Sequence, residues 1–304
     1  MRFELTILGS GSALPTTNRN TTAQVLNVLE RFFLIDCGEA TQLQLRKHSF
    51  AINRINHIFI SHLHGDHFFG LFGLISSMAL LGRTNTIHIY SPPGLEHVLN
   101  TVLNPQFEKT PFPIQFHALS ENEPTVIFED KVVTVHAFPL VHSVSVYGFF
   151  FREKPRLRNI RSEKIAQYQI SIPEILAIKE GGDLVRETET IPNAALTTDP
   201  LPPRSYAFVT DTIITRKHME LIKNADILYH EATFLHSDKA LARKTMHTTA
   251  KQAAEFANEL QVGKLILGHF SSRYKSDKLF LDEACNIFQN SIMGVDGLRT
   301  TVPE

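Results

Sequence analysis

Residues 58–67 read IFISHLHGDH, an apolar run that ends in three histidines and an aspartate within six positions: His62, His64, Asp66 and His67. No other stretch limits the possible folds so tightly. Neutral imidazoles packed together would lose water without gaining partners, and protonated ones would repel each other. A cation that accepts their lone pairs removes both penalties. In an extended segment leaving a strand, His62 and His64 project to the same side and can grip one ion. Asp66 and His67 follow at once, with Gly65 letting the chain turn, and offer an oxygen and a nitrogen to a neighbouring position. The cluster predicts one metal and makes room for a second.

Four ligands cannot fill two ions, so further donors must arrive from distant loops on the same rim of a sheet. His142 follows VVTVHAFPLV, Asp211 closes YAFVT and His269 closes KLILG, each an apolar run ending in one potential ligand. Open sheets gather their ligands beyond strand ends of this kind. By contrast His48, His57, His88, His97, His117, His136, His218 and His236 stand alone and read as structural histidines.

Strand-like runs occur at 3–8, 32–36, 57–61, 86–91, 131–140, 145–151, 205–211, 226–231 and 264–268, with helical patterns at 40–48, 68–82, 94–103, 215–224, 249–260 and 277–289. The helix at 249–260 is entered through Thr248 or Thr249 as its N-cap. Strands interleaved with helices, and neighbours at 131–151 that look like a hairpin, predict a mixed α/β sandwich. With 304 residues, the chain suits one elaborated domain. Residues 152–203 break the rhythm and read as an insertion. The first thirteen of them carry six Lys or Arg against two Glu, the densest positive cluster in the chain.

The longest mostly apolar stretch, 68–81, is shorter than the ~20 residues of a membrane span and reads as a buried helix. Residues 1–9 alternate like a strand and lack the apolar core of a secretory leader, which predicts a cytosolic protein. Cys37 and Cys285 lack metal-knuckle spacing and read as core thiols. A net charge of −1 gives no global attraction for nucleic acid, so a polyanion would have to meet local basic patches. LGSGSALP at 8–15 lacks the full Rossmann spacing and the Walker lysine, and reads as a turn-rich loop bordering the active site. Neither Ser10 nor Ser12 has an acyl-transfer motif around it.

SHLHGDH resembles the HxHxDH signature of the metallo-β-lactamase-fold hydrolases, and the chain as a whole resembles the ribonuclease Z family nearly end to end. The likeness lies in LGSGSALPTTNRNTT (8–22), IDCGEATQLQL (35–45), IYSPPGL (89–95), VHSVSVYGF (141–149), TDT (210–212), HEATF (230–234), MHTTAKQAA (246–254) and GHFSSRY (268–274). It implies a four-layer αββα sandwich forming a single domain over 1–304, with residues 152–203 as an inserted exosite arm that clamps tRNA. The Gly-Pro element common in such arms does not stand out; the corresponding place reads ISIPEILAIKEGGD.

The resemblance further implies a zinc-dependent endoribonuclease that cuts the 3′ trailer from precursor tRNA, leaving a 3′-hydroxyl on the tRNA and a 5′-phosphate on the trailer. One zinc would be held by His62, His64 and His142, the other by Asp66, His67 and His269, with Asp211 bridging the two. Asp66 would also orient and deprotonate the attacking water, and His247, partnered by Glu231, would protonate the leaving oxygen. His230 reads as structural. Family members pair, so a homodimer is implied. One alternative is another dinuclear-zinc phosphodiesterase or an arylsulfatase-like hydrolase of the same fold. A catalytically silent RNA-binding relative is the other, and the intact ligand set opposes it.

Overall fold

The computed structural model describes residues 2–103, 111–120 and 122–302. Runs such as AQVLNV and SYAFV place apolar residues on both faces of a strand, with only Gln24, Asn27 and Ser205 polar, a pattern expected of strands covered on both sides. They are buried at every residue in β2 (Ala23–Val28) and in the strand at Ser205–Val209. Burial on both faces needs a layer on each side, which leads directly to a four-layer stack.

The first sheet contains β1 (Phe3–Gly9), β2, β3 (Arg31–Cys37), β4 (Ile55–Phe59), β5 (Ile87–Ser91) and β6 (Ile114–Ala118). The second begins with β7 (Thr125–Glu129), β8 (Val133–Pro139) and β9 (Tyr147–Glu153). Four short strands follow: β10 (Asn159–Ile160), β11 (Leu184–Val185), β12 (Thr190–Ile191) and β13 (Thr197–Thr198). The second sheet then resumes with β14 (Ser205–Val209), β15 (Ile227–Glu231), β16 (Lys264–Gly268) and β17 (Ser291–Met293), and β18 (Arg299–Thr301) returns to the first. Among the described residues the strand orders are β18-β1-β2-β3-β4-β5-β6 and β17-β16-β15-β14-β9-β8-β7. β3, β4, β5 and β6 run parallel, as do β14, β15, β16 and β17, so the carboxyl ends of each set share one rim.

Aromatic side chains from the two sheets meet in the middle. Phe33 lies 5.5 Å from Phe151 and Phe59 lies 5.5 Å from Phe149, ring centre to ring centre, which is the spacing of favourable aromatic pairs. On the outer face of the first sheet, Leu71, Leu74, Ile75 and Met78 of helix Gly70–Leu80 pack against Leu34, Ile58 and Ile60. Gly70 permits that approach, since a Cβ there would lie 1.9 Å from the Gly38 carbonyl oxygen. On the outer face of the second, helices Ala250–Leu260 and Lys278–Cys285 cover Leu228, Leu265 and Leu267. Thr249 is the N-cap of the first of these, forming a capping box with Gln252.

Met1–Arg152 with Ser205–Pro303 forms one compact unit, and Glu153–Arg204 forms a second. The second has its own small core of Ile170, Ile178, Leu184, Ile191 and Leu196. Its two ends are tied by a buried ion pair, in which Arg204 Nη2 donates to Glu153 Oε1 at 2.8 Å. Part of the expected positive cluster is engaged inside this unit: Arg156 with Glu153, Arg158 with Asp199 and Thr197, and Arg161 with the Thr197 carbonyl.

The boundaries differ from the sequence expectation in several places. The inserted unit starts and ends one residue later than 152–203. The helical pattern at 215–224 reduces to Met219–Ile222. β2 was not anticipated because Gln24 and Asn27 break its apolar run without giving a strict alternation. β6 and β7 escaped because they are only partly buried and carry weak patterns. Cys37 is buried, whereas Cys285 is partly exposed. Among the described residues no helix is long and apolar enough to cross a membrane.

Candidate metal centre

β4 ends at Phe59, and the extended chain continues through Ser61 to His62 and His64 before a single helical turn, Gly65–Phe68, brings in Asp66 and His67. The chain turns at Gly65, as expected, without a left-handed φ. The glycine's requirement is space, since a Cβ would come 2.5 Å from the Phe69 ring. From the second sheet, Asp211 follows β14 with φ 43° and His269 follows β16 with φ 57°. A non-glycine residue in this region costs on the order of 1–3 kcal/mol, and such strain collects where a side chain must be aimed. His142 arrives from the loop after β8.

All seven expected ligands converge. Ligand atoms of His62, His64, His142 and Asp211 lie within 4.8 Å of one another, as do those of Asp66, His67 and His269. Asp211 faces histidines of both clusters. Its Oδ2 is 3.5 Å from His62 Nε2 and 4.0 Å from His142 Nε2, while its Oδ1 is 3.4 Å from His67 Nε2 and 3.2 Å from His269 Nε2.

The outward-facing ring nitrogens are engaged by other groups. His67 Nδ1 pairs with Asp36 Oδ2 at 2.7 Å, His269 Nδ1 with Thr233 Oγ1 at 2.9 Å, and His142 Nδ1 with the Met246 carbonyl at 3.1 Å. An acceptor on Nδ1 keeps the proton there and leaves the Nε2 lone pair pointing inward, the usual outer arrangement behind metal-binding histidines. Asp36 is itself held by Ser61, which donates from its backbone N–H at 2.8 Å and from its hydroxyl at 2.9 Å.

The electrostatics agree with this reading. Burial pushes His62, His64 and His142 below the ordinary histidine range, so they present neutral imidazoles. Burial alone would raise the Asp66 and Asp211 carboxyls, but the neighbouring histidines, His67 and His269 foremost, hold both well below the usual carboxylate range. Burial also disfavours a charged His67, yet Asp66, Asp211 and Asp36 outweigh it and raise its pKa well above normal. A dication would take over the negative charge that otherwise keeps this proton in place. The nitrogen and carboxylate donors, with no sulfur among them, therefore fit a divalent metal.

Beside the ligands lies a cavity of about 380 Å³ bordered by Ser12, Ala13, Ser143, Lys244 and His247. The 8–15 loop thus borders the site, as expected. His247 Nδ1 donates to Glu231 Oε1 at 3.0 Å. Burial pushes His247 down, but Glu231 more than compensates and leaves it at about 9. Its ligand atom also falls within 4.8 Å of those of Asp211 and His269. His230 turns away and donates Nδ1 to the Glu231 carbonyl at 2.8 Å.

Sequence reasoning missed Asp36, Thr233 and the Met246 carbonyl as supports. Asp36 was detectable, because it closes the apolar run FFLID just as Asp211 closes YAFVT. Thr233 had no such signal, since a threonine matters here only through the two side chains folded against it.

The fold and the converging donors define a hydrolase of the metallo-β-lactamase fold. A family model described as Anti-Pycsar protein Apyc1 matches residues 3–157. The chain is 46% identical over 298 residues to ribonuclease Z of Bacteroides fragilis, covering 98% of each, and 45% identical over 302 residues to that of Bacteroides thetaiotaomicron, covering 99% of this chain and 96% of the relative. The crystal structure of the short form of human tRNase Z superposes with a TM-score of 0.72 at 26% identity, covering 99% of this chain and 100% of that one. The chain belongs to the ribonuclease Z family.

Proposed function

We propose that this chain removes the 3′ trailer of precursor tRNA, leaving a 3′-hydroxyl on the tRNA and a 5′-phosphate on the trailer, and that it uses two Zn²⁺ ions to do so. The observation that carries the reading is Asp211, whose two carboxylate oxygens face two different groups of histidines. His62, His64 and His142 would hold one ion, Asp66, His67 and His269 the other, and Asp211 both. When bound, the pair supplies an acidified water and positive charge at the scissile phosphate.

The remaining steps fall to side chains. Asp66 orients the attacking water and takes its proton, since its carboxylate borders the cavity and is held ionised by His67 and His269. His247 lines the same cavity and is kept protonated by Glu231, so it can deliver a proton to the departing 5′ oxygen. Glu231 is fully buried and takes further hydrogen bonds from the Thr212 N–H at 2.6 Å and the Thr248 N–H at 3.1 Å, which fix it as the anchor of that imidazole.

In this reading the Glu153–Arg204 unit is the arm that grips tRNA. Its basic residues suit contacts to phosphate. The working form is a homodimer in the cytoplasm, where precursor tRNA is met. The test is to incubate the purified protein with precursor tRNA, with and without chelator, and map the cut to the nucleotide. Chelator-sensitive cleavage at the trailer junction is expected. Turnover of small phosphodiesters without any cut in precursor tRNA would favour a different phosphodiesterase of the same fold.

A further inference from the structure

We propose that Asp296 is a positioning residue for the hydrolytic centre, acting at a distance by holding the loop 10–20 against Asp66. The proposal rests on the role assigned to Asp66 above. Ala13, in the middle of this loop with φ 60°, donates its backbone N–H to Asp66 Oδ2 at 2.7 Å. That same oxygen lies 3.4 Å from His269 Nε2 and 3.5 Å from His67 Nε2. An N–H donated to a carboxylate is a strong, directional bond, so the amide sets how Asp66 presents its remaining lone pairs to the site.

Within the loop the bonds are local, such as the Thr16 N–H to the Arg19 carbonyl at 2.8 Å and the Gly11 N–H to the Asn20 carbonyl at 2.9 Å. They close the loop without fixing it to the site. Residues 13–18 are exposed, and the segment is a wall between two spaces. Ser12 and Ala13 border the metal cavity, whereas Gly11, Leu14 and Arg19 border a second cavity of about 510 Å³ on the other side. A segment with open space on both faces must be fixed at its ends.

One carboxylate ties both ends, with the Arg19–Asp277 ion pair beside it at the second end. Asp296 Oδ1 accepts the Ser10 hydroxyl at 2.7 Å, and its Oδ2 accepts the Asn20 backbone N–H at 2.7 Å and the Asn20 side-chain amide at 2.8 Å. Asp296 is itself well placed to act as a clamp. It lies in the turn between β17 and β18, where Gly297 N–H donates to the Ile7 carbonyl at 2.8 Å and Ile7 N–H donates to the Leu298 carbonyl at 3.0 Å. Gly297 has φ 88°, and a Cβ there would come 3.0 Å from the His48 ring, so the turn tolerates no side chain at this point. The loop is also laced to the residue after His269, through Ser12 N–H to the Phe270 carbonyl at 3.1 Å and Phe270 N–H to the Ser10 carbonyl at 2.9 Å. Because the donor to Asp66 is a backbone N–H, any substitution of Ala13 other than proline leaves it in place. It can only be aimed by whatever holds the loop.

The test uses the full chain loaded with Co²⁺, comparing wild type with Asp296→Ala, Asp296→Asn and Ser10→Ala. The readouts are kcat and KM for bis(p-nitrophenyl) phosphate, the visible absorption of bound cobalt, and amide exchange in the peptide covering 10–20. Asp296→Ala should speed exchange in that peptide, shift the cobalt absorption and lower kcat about tenfold with KM unchanged, the size typical of a lost outer partner of a metal ligand. Asp296→Asn and Ser10→Ala should follow in the same direction with smaller effects, and they carry the test if Asp296→Ala does not fold. Faster exchange accompanied by wild-type kcat and wild-type cobalt absorption would overturn the proposal. A wild-type protein that binds no cobalt or leaves the diester intact would instead overturn the hydrolytic reading on which it rests.

Discussion

His247 donates its Nδ1 proton to Glu231 Oε1 at 3.0 Å, and Glu231 has no exposed surface, so the imidazole is tied to a carboxylate that cannot turn toward water. The other ring nitrogen is left for the cavity. Substitution of His247 by Ala should therefore cut turnover of precursor tRNA by on the order of 10²–10³, within the usual range for a lost proton donor. Metal content should stay at the wild-type level. Because His247 also stands near Asp211 and His269, loss of metal together with activity would move it into the coordination shell.

Asp211→Asn should be worse. It keeps the shape of the side chain but removes the charge that both histidine groups face. Metal analysis should find less than the wild-type complement, and activity should fall by about a hundredfold or more, beyond what loss of an outer partner costs. Full metal occupancy in this variant would remove Asp211 from its bridging role.

Asp36 acts on the site through His67, from which it accepts the Nδ1 proton. Asp36→Ala should weaken metal binding roughly 10–100-fold, the cost typical of a lost carboxylate behind a ligating histidine. Competition against a chelator measures this directly. Unchanged affinity would mean that Ser61 alone holds the ring.

The arm role proposed for the Glu153–Arg204 unit predicts that recognition separates from chemistry. Replacing Arg152, Lys154, Arg156, Arg158, Arg161 and Lys164 should raise KM for precursor tRNA and flatten its dependence on salt, while a small chromogenic diester is turned over as before. Equal losses on both substrates would sink the arm's role. Because Arg156 and Arg158 pair with Glu153 and Asp199, replacing these two should also lower the melting temperature.

Glu153 supplies a pH dependence. Burial would raise its carboxyl, but the hydrogen bonds and charge of Arg204, with help from Arg156, overcome that and hold it below the usual range. A group whose folded pKa is depressed contributes stability above its unfolded value, about 4.3 for Glu, and loses that contribution as pH falls through the folded value. Thermal melts of wild type and Glu153→Gln should therefore differ most at neutral pH and converge as the solution is acidified below about pH 4. A gap that stays constant with pH would assign the difference to packing.

Much of the architecture could be read from the chain because burial leaves a local trace. Strands covered on both faces are rich in apolar residues, as in FELTIL and KLILG, and the Thr249–Gln252 capping box is written within four residues. Half-exposed edge strands such as β6 and β7 leave no comparable trace, and neither does a left-handed Asp211 or His269. The space that Gly65 leaves for the Phe69 ring is hidden for a related reason, since the sequence shows the glycine but not the ring packed against it.

The metal centre divides along the same line. His62, His64, Asp66 and His67 announce themselves because one short segment carries them, and imidazoles so crowded are costly to bury unless a cation takes up their lone pairs. The nearest His67 and His269 nitrogens are 3.3 Å apart across 202 residues of chain, and only the closing of two sheets on one rim brings them together. The tertiary structure alone decided which oxygen of Asp211 faces which group, that Asp36 and Thr233 choose the tautomers, and that Asp296 holds the loop carrying the Ala13 amide. Residue type sets what a side chain can donate, but the direction in which it donates is a property of neighbours that the chain order does not reveal.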